Sequence, residues 1–339
     1  MERKGIISAG NWLVDNIKII ERYPTRGNLT TISRIETGLG GCSHNVLADL
    51  ARLGTDLPLY AGGCIGRDAF GDYVLREIDR CGIDRRNMLT LDDCATSYTD
   101  VMSEIDGGCR TFFHFRGANA RLGAEEIARM ELESPARIFH LGYLLLLDEL
   151  DRPDPEYGVV AARVLDGLRR KGYETSVDVV SEESDRFRQI VGPCLPYTDY
   201  FIVNEIEAGA VCGLQLRTPE GSLLRERVEE AAAMLLGRGV GRLCAIHFPE
   251  GGYAVSRSGE RCWCDSVPVA RHEIVSSVGA GDAFCAGMLY AQHERMPLRD
   301  ALRTANASAR FNLFSATSTG GAPTLHRLNE FIHRNYTEL

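Results

Sequence analysis

Lysine is scarce. It occurs only at Lys4, Lys18 and Lys171, and none of the three lies in a Gly-rich loop. A Walker-type Gly-Lys-Ser/Thr is therefore excluded, so any phosphate handled here must be met by backbone amides, arginine and a metal ion. No CxxC pair or HExxH occurs, and of the 11 cysteines only Cys262 and Cys264 lie close together. That argues against a structural zinc or a metalloprotease. No apolar run approaches membrane-spanning length, and Met1–Ile7 lacks the apolar stretch of a signal peptide. The expected setting is a reducing cytoplasm with free thiols and no membrane partner. A basic balance is missing too. The net charge of -9 argues against a nucleic-acid partner, although a small anion needs only a local positive site. Internal repeats and low-complexity segments are absent.

What is present suits a large core. The chain has 339 residues, 44% of them hydrophobic and 25% charged, enough for one big α/β domain or a domain with a lid. One stretch organises it, Ser276-Ser277-Val278-Gly279-Ala280-Gly281-Asp282-Ala283-Phe284. Gly279, Ala280 and Gly281 let backbone N–H groups face an anion, and the helix that follows adds the positive end of its dipole. Asp282 stands where that helix starts. It reads either as a base that takes a proton from a hydroxyl beside a phosphate cradle or as a helix N-cap. Both readings stay open at this point.

Along the chain, residues 5–10 read as a buried strand. Asn11–Ile17 alternates in character, with Asp15 as a turn residue or a ligand for hydroxyls, and residues 30–37 form another strand. Gly40 and Gly41 precede an amphipathic helix that stops at Gly54, with Asn45 on its first turn offering a donor and an acceptor. Leu57–Gly63 is a strand, and a helix follows Gly66-Arg67-Asp68. Thr96–Ile105 and Arg110–Phe115 flank Asp106-Gly107-Gly108, a hairpin signal. From Arg137 on, strand and helix alternate (137–141, 159–171, 174–180, 200–203, 228–236, 243–246), which implies a parallel sheet with helices on both faces and ligands at the carboxyl ends of its strands. Asn204 and Glu207, three apart after a strand, read as a Mg²⁺-water site or as an N-capped helix start.

Taken together, order and spacing resemble the ribokinase-like (phosphofructokinase-B type) family of sugar kinases over nearly the whole chain. Gly40-Gly41…Asn45 resembles its first signature, Gly279-Ala280-Gly281-Asp282 its second, and Asn204-Glu205-Ile206-Glu207 its Asn-x-x-Glu element; Gly66-Arg67-Asp68 and Gly117-Ala118-Asn119 fall in their expected places. The resemblance implies an α/β fold, a three-layer doubly wound mostly parallel sheet within one domain over 1–339. A small antiparallel β lid, about 11–38 and 95–117, would also pair subunits into a homodimer. It implies an ATP- and Mg²⁺-dependent phosphorylation of a small sugar or related polyol. Asp282 would be the base and Gly279–Gly281 the anion hole. Asp15, Gly40, Gly41, Asn45 and Asn119 would bind substrate. Asn204, Glu207, Gly251, Asn306 and Gly321 would serve the nucleotide, Glu207 holding Mg²⁺ through water.

Departures accompany the matches. Ser276 and Val278 replace the Asp and Thr that family members commonly carry beside a monovalent cation, so potassium activation does not carry over, and Gly279–Gly281 is expected to be held by packing around Val278 and Phe284. Of the family's nucleotide segment, Ile246-His247-Phe248-Pro249-Glu250-Gly251 keeps only Gly251, with His247 expected to be a packed or surface side chain. Asp178-Val179-Val180-Ser181-Glu182 replaces a common polar motif, so the choice of sugar does not carry over either. A nucleoside kinase and a low-turnover sugar sensor remain the alternatives.

Overall fold

Tyr200-Phe201-Ile202-Val203 has no polar member, and its side chains divide between two cores. Phe201 and Val203 pack on one face with Phe139, Val177 and Leu165, while Tyr200 and Ile202 pack on the other with Phe284 and Met288. Successive strand residues point to opposite faces, so an apolar run of this kind marks a strand covered on both sides. The computed structural model describes residues 3–105, 109–133, 135–181 and 186–336. The Asp106-Gly107-Gly108 turn and Glu182 lie outside the described residues.

In chain order the strands are β1 Ile6–Gly10, β2 Leu13–Ile20, β3 Ile32–Gly40, β4 Leu59–Gly66, β5 Asp84–Leu91, β6 Tyr98–Glu104, β7 Arg110–Phe115 and β8 Ile138–Leu144. There follow the short pair β9 Pro153–Asp154 and β10 Gly158–Val159, then β11 Glu174–Val179, β12 Tyr200–Asn204, β13 Leu243–Phe248, β14 Gly251–Ser256 and β15 Arg261–Asp265. Nine of them form one sheet in the order β15-β14-β13-β12-β11-β8-β1-β4-β5. From β13 to β5 all neighbours are parallel; β14 and β15 close one edge as antiparallel hairpin strands. The helices that carry the site are α1 Cys42–Arg52, Glu205–Cys212, Ala280–His293 and Leu298–Asn312. This is the expected mostly parallel, three-layer arrangement.

A second sheet, β3-β2-β6-β7, stands off the first. It is antiparallel at β2–β3 and β6–β7, but β2 and β6 run parallel, because the chain crosses the main sheet between them. Strand β5 escaped the periodicity reading. Its start, Asp84-Arg85-Arg86-Asn87, is polar because it is an edge strand, with Arg85 and Arg86 facing solvent although Asn87 is buried.

Candidate active site

The helix Ala280–His293 begins at Gly279, whose backbone is left-handed at φ 80°. Asp282 is not the N-cap; that role falls to Gly279, and no side chain caps this helix. The capping reading of Asp282 is thereby removed. Its carboxylate instead accepts from Asn45 Nδ2 at 2.7 Å and from the Tyr143 hydroxyl at 3.2 Å. Asp282 is 5% exposed, and burial raises its carboxyl above the ordinary range against the opposing pull of those two donors. Beside it the N–H of Ala280 reaches Ser277 O at 3.2 Å, whereas those of Gly279 and Gly281 have no acceptor among the described residues. Two partly exposed, unspent donors at a helix N-terminus are what an anion needs.

Asn45 reaches Asp282 from the first turn of α1, whose N-cap is Gly41 at φ 91°. Its Oδ1 accepts from Ser318 Oγ at 2.9 Å and faces His44 Nδ1 at 3.0 Å, so one amide hydrogen remains for another partner. Burial drops His44 to about 4, which keeps that ring neutral. Gly40 lies against the Asp15 carboxylate, and a Cβ there would have to push Asp15 Oδ2 aside. The structure therefore links Asp15, Gly40, Gly41, Asn45 and Asp282 in one contiguous path. Asp15 accepts no hydrogen bond among the described residues, and burial pushes its carboxyl up to about 6 although Arg110 opposes the shift.

Asn119 is different. Its amide donates to Asn11 Oδ1 at 2.8 Å and Trp12 O at 3.0 Å and accepts from Trp12 N at 3.2 Å, all at 0% exposure. Both hydrogens are spent on holding the 11–12 turn. The expectation that it binds substrate is corrected to a scaffold role.

Asn204 and Glu207 form a complete capping box on the helix Glu205–Cys212. Asn204 Oδ1 accepts Glu207 N at 2.8 Å, and Glu207 Oε2 accepts Asn204 N at 3.0 Å. Ser181 Oγ donates to Glu207 Oε1 at 2.7 Å, and burial raises the Glu207 carboxyl. Each carboxylate oxygen keeps a lone pair for a metal-bound water, so the capping and metal readings are compatible.

Gly251, Asn306 and Gly321 have structural duties in this state. A Cβ on Gly251 would strike Cys264 O, and one on Gly321 would strike Phe311 O; Asn306 Nδ2 donates to Cys264 O at 2.8 Å. Cys264 also lines a cleft of about 470 Å³ between Trp263, Arg299, Arg303 and Tyr336. His247 is packed, as expected. Its ring lies 4.8 Å from that of Phe284, burial lowers it to about 4, and a Cβ on Gly281 would come within 3.2 Å of it.

The expected packing around Val278 is absent, since its side chain is 41% exposed. The loop is instead tied by hydrogen bonds. Val278 N donates to Ser276 Oγ at 3.1 Å, Asn312 Nδ2 to Val278 O at 2.9 Å, and Val275 N to Leu313 O at 2.8 Å. Tyr143 and Ser318 were missed in the sequence. Tyr143 sits in the apolar run Leu141–Leu147, and nothing there marks a hydroxyl aimed at a residue 139 positions away.

A family model described as pfkB family carbohydrate kinase matches residues 7–325. The chain belongs to that family. A 5-dehydro-2-deoxygluconokinase of Lacticaseibacillus casei is 25% identical over 313 residues, covering 87% of this chain and 86% of the relative. Among solved structures, the Arabidopsis thaliana ribokinase complexed with ribose and ATP superposes with a TM-score of 0.77 at 21% identity, covering 97% and 99% of the two chains. A putative ribokinase II from E. coli, in complex with ATP and Mg²⁺, gives 0.75 at 20% identity, covering 98% and 100%. The fold is ribokinase-like, and the pfkB member is a kinase acting on a small sugar-type hydroxyl substrate. Among the described residues no helix is long and apolar enough to cross a membrane.

Proposed function

We propose that this chain transfers the γ-phosphoryl group of ATP to a hydroxyl of a small sugar or sugar derivative, with Asp282 as general base. The observation that carries the reading is the buried Asp282 carboxylate, held by Asn45 and Tyr143 and free of its own helix, next to the unspent amides of Gly279 and Gly281. Asp282 takes the hydroxyl proton while those amides and the helix dipole stabilise charge on the transferring group. Asn204 and Glu207 would hold Mg²⁺ through its waters, and the ion would offset charge on the nucleotide phosphates. Asp15 and the free hydrogen of Asn45 would orient sugar hydroxyls. The test is a coupled ADP-release screen over pentoses, hexoses, ketoses, sugar acids and nucleosides. Turnover with none of them would remove the reading.

Asp15 gives this reading a pH signature. In the free protein its carboxyl is raised to about 6, so near pH 5 only about one molecule in ten holds the ionised acceptor, and the sugar KM should rise about tenfold from its value near pH 7. The raised value also means that Asp15 costs stability as pH climbs from the ordinary carboxylate range through about 6. Asp15→Asn should flatten the KM profile. A profile that keeps its acid limb in Asp15→Asn would show that another group titrates.

The hydrogen bonds that tie the 275–279 loop support a second expectation. No carboxylate stands at Ser276, and the loop is already held by Asn312 and Leu313. Turnover should require Mg²⁺ and change little when K⁺ is exchanged for a bulky organic cation at constant ionic strength. Saturable activation of tenfold or more, about 1.4 kcal/mol of coupling, would overturn it.

We also infer a homodimer through the small sheet. Ile35, Phe113 and Phe115 are 63%, 48% and 43% exposed on one face of its edge strands β3 and β7, and exposed apolar side chains on one face are of the kind that marks an interface. Sedimentation should report two chains, and Phe113→Glu together with Ile35→Glu should yield monomers. A wild-type monomer at assay concentration would rule it out.

A further inference from the structure

Behind Asp282 lies a group of side chains that phosphoryl transfer does not use. Cys42 opens α1, His140 lies in β8 and Asp178 in β11, and their ligand atoms all fall within 4.8 Å of one another. Cys42 Sγ is 3.0 Å from Asp178 Oδ2 and 3.2 Å from His140 Nε2. Gly142 makes room for them, because a Cβ there would sit 2.6 Å from Cys42 Sγ and 3.3 Å from His140 Nε2.

We propose that Cys42, His140 and Asp178 form a zinc site that inhibits the enzyme. The inhibitory part rests on the base role of Asp282 proposed above; the site itself does not. A thiolate, an imidazole and a carboxylate are a ligand set for zinc rather than for Mg²⁺. Zinc–ligand bonds of about 2.0–2.3 Å in tetrahedral geometry separate ligand atoms by roughly 3.5 Å, so the two contacts of Cys42 Sγ need to open by only a few tenths of an ångström.

The second layer fits as well. His140 Nδ1 lies 3.1 Å from Ser176 Oγ. If it donates there, Nε2 keeps its lone pair toward Cys42. Val179 N donates to Asp178 Oδ1 at 2.7 Å, which leaves Oδ2 toward the thiol.

Charge points the same way. Asp178, Glu207 and Asp282 are all buried and mutually unfavourable, and no Lys or Arg hydrogen bond or ion pair reaches them among the described residues. A divalent cation would offset that excess. Asp178 and Asp282 keep 8% and 5% exposure while Cys42 and His140 keep none, so an ion would enter from the carboxylate side. On binding, the Cys42 thiol loses its proton to solvent and the sulfur pair goes to zinc. Asp282 is held by Asn45, three residues along α1 from Cys42, so zinc would lower its basicity or take it as the fourth ligand.

Cobalt(II) reads the site directly. Chelator-treated protein titrated with Co²⁺ should develop a thiolate-to-cobalt charge-transfer band that saturates at one equivalent and is displaced by Zn²⁺. Cys42→Ala should lose the band and Asp178→Asn should weaken it, each checked for folding by its melting curve. No band in the wild-type protein, or an unchanged band in folded Cys42→Ala, would overturn the site. With a substrate found in the screen, one equivalent of zinc should lower kcat at least tenfold in excess Mg²⁺, reversibly on chelation. Binding without inhibition would overturn the inhibitory role. A cobalt band in a protein that phosphorylates nothing would sink the proposed function and leave the site standing.

Discussion

Asp282→Asn is expected to lower kcat by about 10²–10⁴-fold, the usual value of a positioned general base. The change is nearly isosteric, and the site can absorb it. The new amide can present its oxygen to Asn45 Nδ2 and its nitrogen to the Tyr143 hydroxyl, which rotates to accept. Folding should even gain. Burial raises the Asp282 carboxyl, so its ionised form costs stability from the ordinary carboxylate range upward through the raised value. A neutral amide removes that cost at neutral pH. The expected result is therefore a slower enzyme that melts higher and binds sugar about as well. Steady-state kinetics, calorimetric sugar affinity and a melting curve read the three separately. A kcat within about threefold of wild type would remove Asp282 from the base role, allowing for the non-additivity of residues that act as a unit.

Much of the frame was legible because two faces of a covered sheet leave a strong mark. The runs around Ile138, Tyr200 and Leu243 are apolar on both sides, and the alternation with amphipathic helices fixes parallel order. The charged edge strand β5 left no such mark, nor did the hairpin strands β14 and β15. The glycines of the site were legible too, since left-handed backbone at Gly41 and Gly279 tolerates little else. What could not be read was the wiring between distant residues. Asn119 carries the same amide as Asn45, and only the fold shows that one spends both hydrogens on Asn11 and Trp12 while the other gives one to Asp282 and keeps one free. Cys42, His140 and Asp178 are 98 and 38 positions apart, so no spacing motif could gather them. Asp282 was ambiguous between a cap and a base until Gly279 proved to be the cap.

Gly279→Ala is expected to damage the enzyme more than its size suggests. At φ 80° an alanine costs about 1–2 kcal/mol from the dihedral alone. Its Cβ would also collide with the Ser318 carbonyl. Two escapes exist, and both harm the site. If residue 279 leaves the left-handed region, the N–H groups of 279 and 281 turn away from the anion. If the Ser318 segment moves instead, Ser318 Oγ releases Asn45 Oδ1, and the amide that holds Asp282 loses its anchor. Losing one preorganised donor at a developing charge is worth about 10²–10³ in kcat, and that fall is expected together with a lower melting temperature. Gly281→Ala supplies the contrast. It needs no left-handed backbone, and its Cβ meets only the His247 ring, at 3.2 Å, so it should fold and melt close to wild type. Kinetics and melting curves on both variants decide the matter. If Gly279→Ala keeps kcat within about threefold, the amides of this loop do not carry the transferring charge and the anion-hole assignment must be dropped.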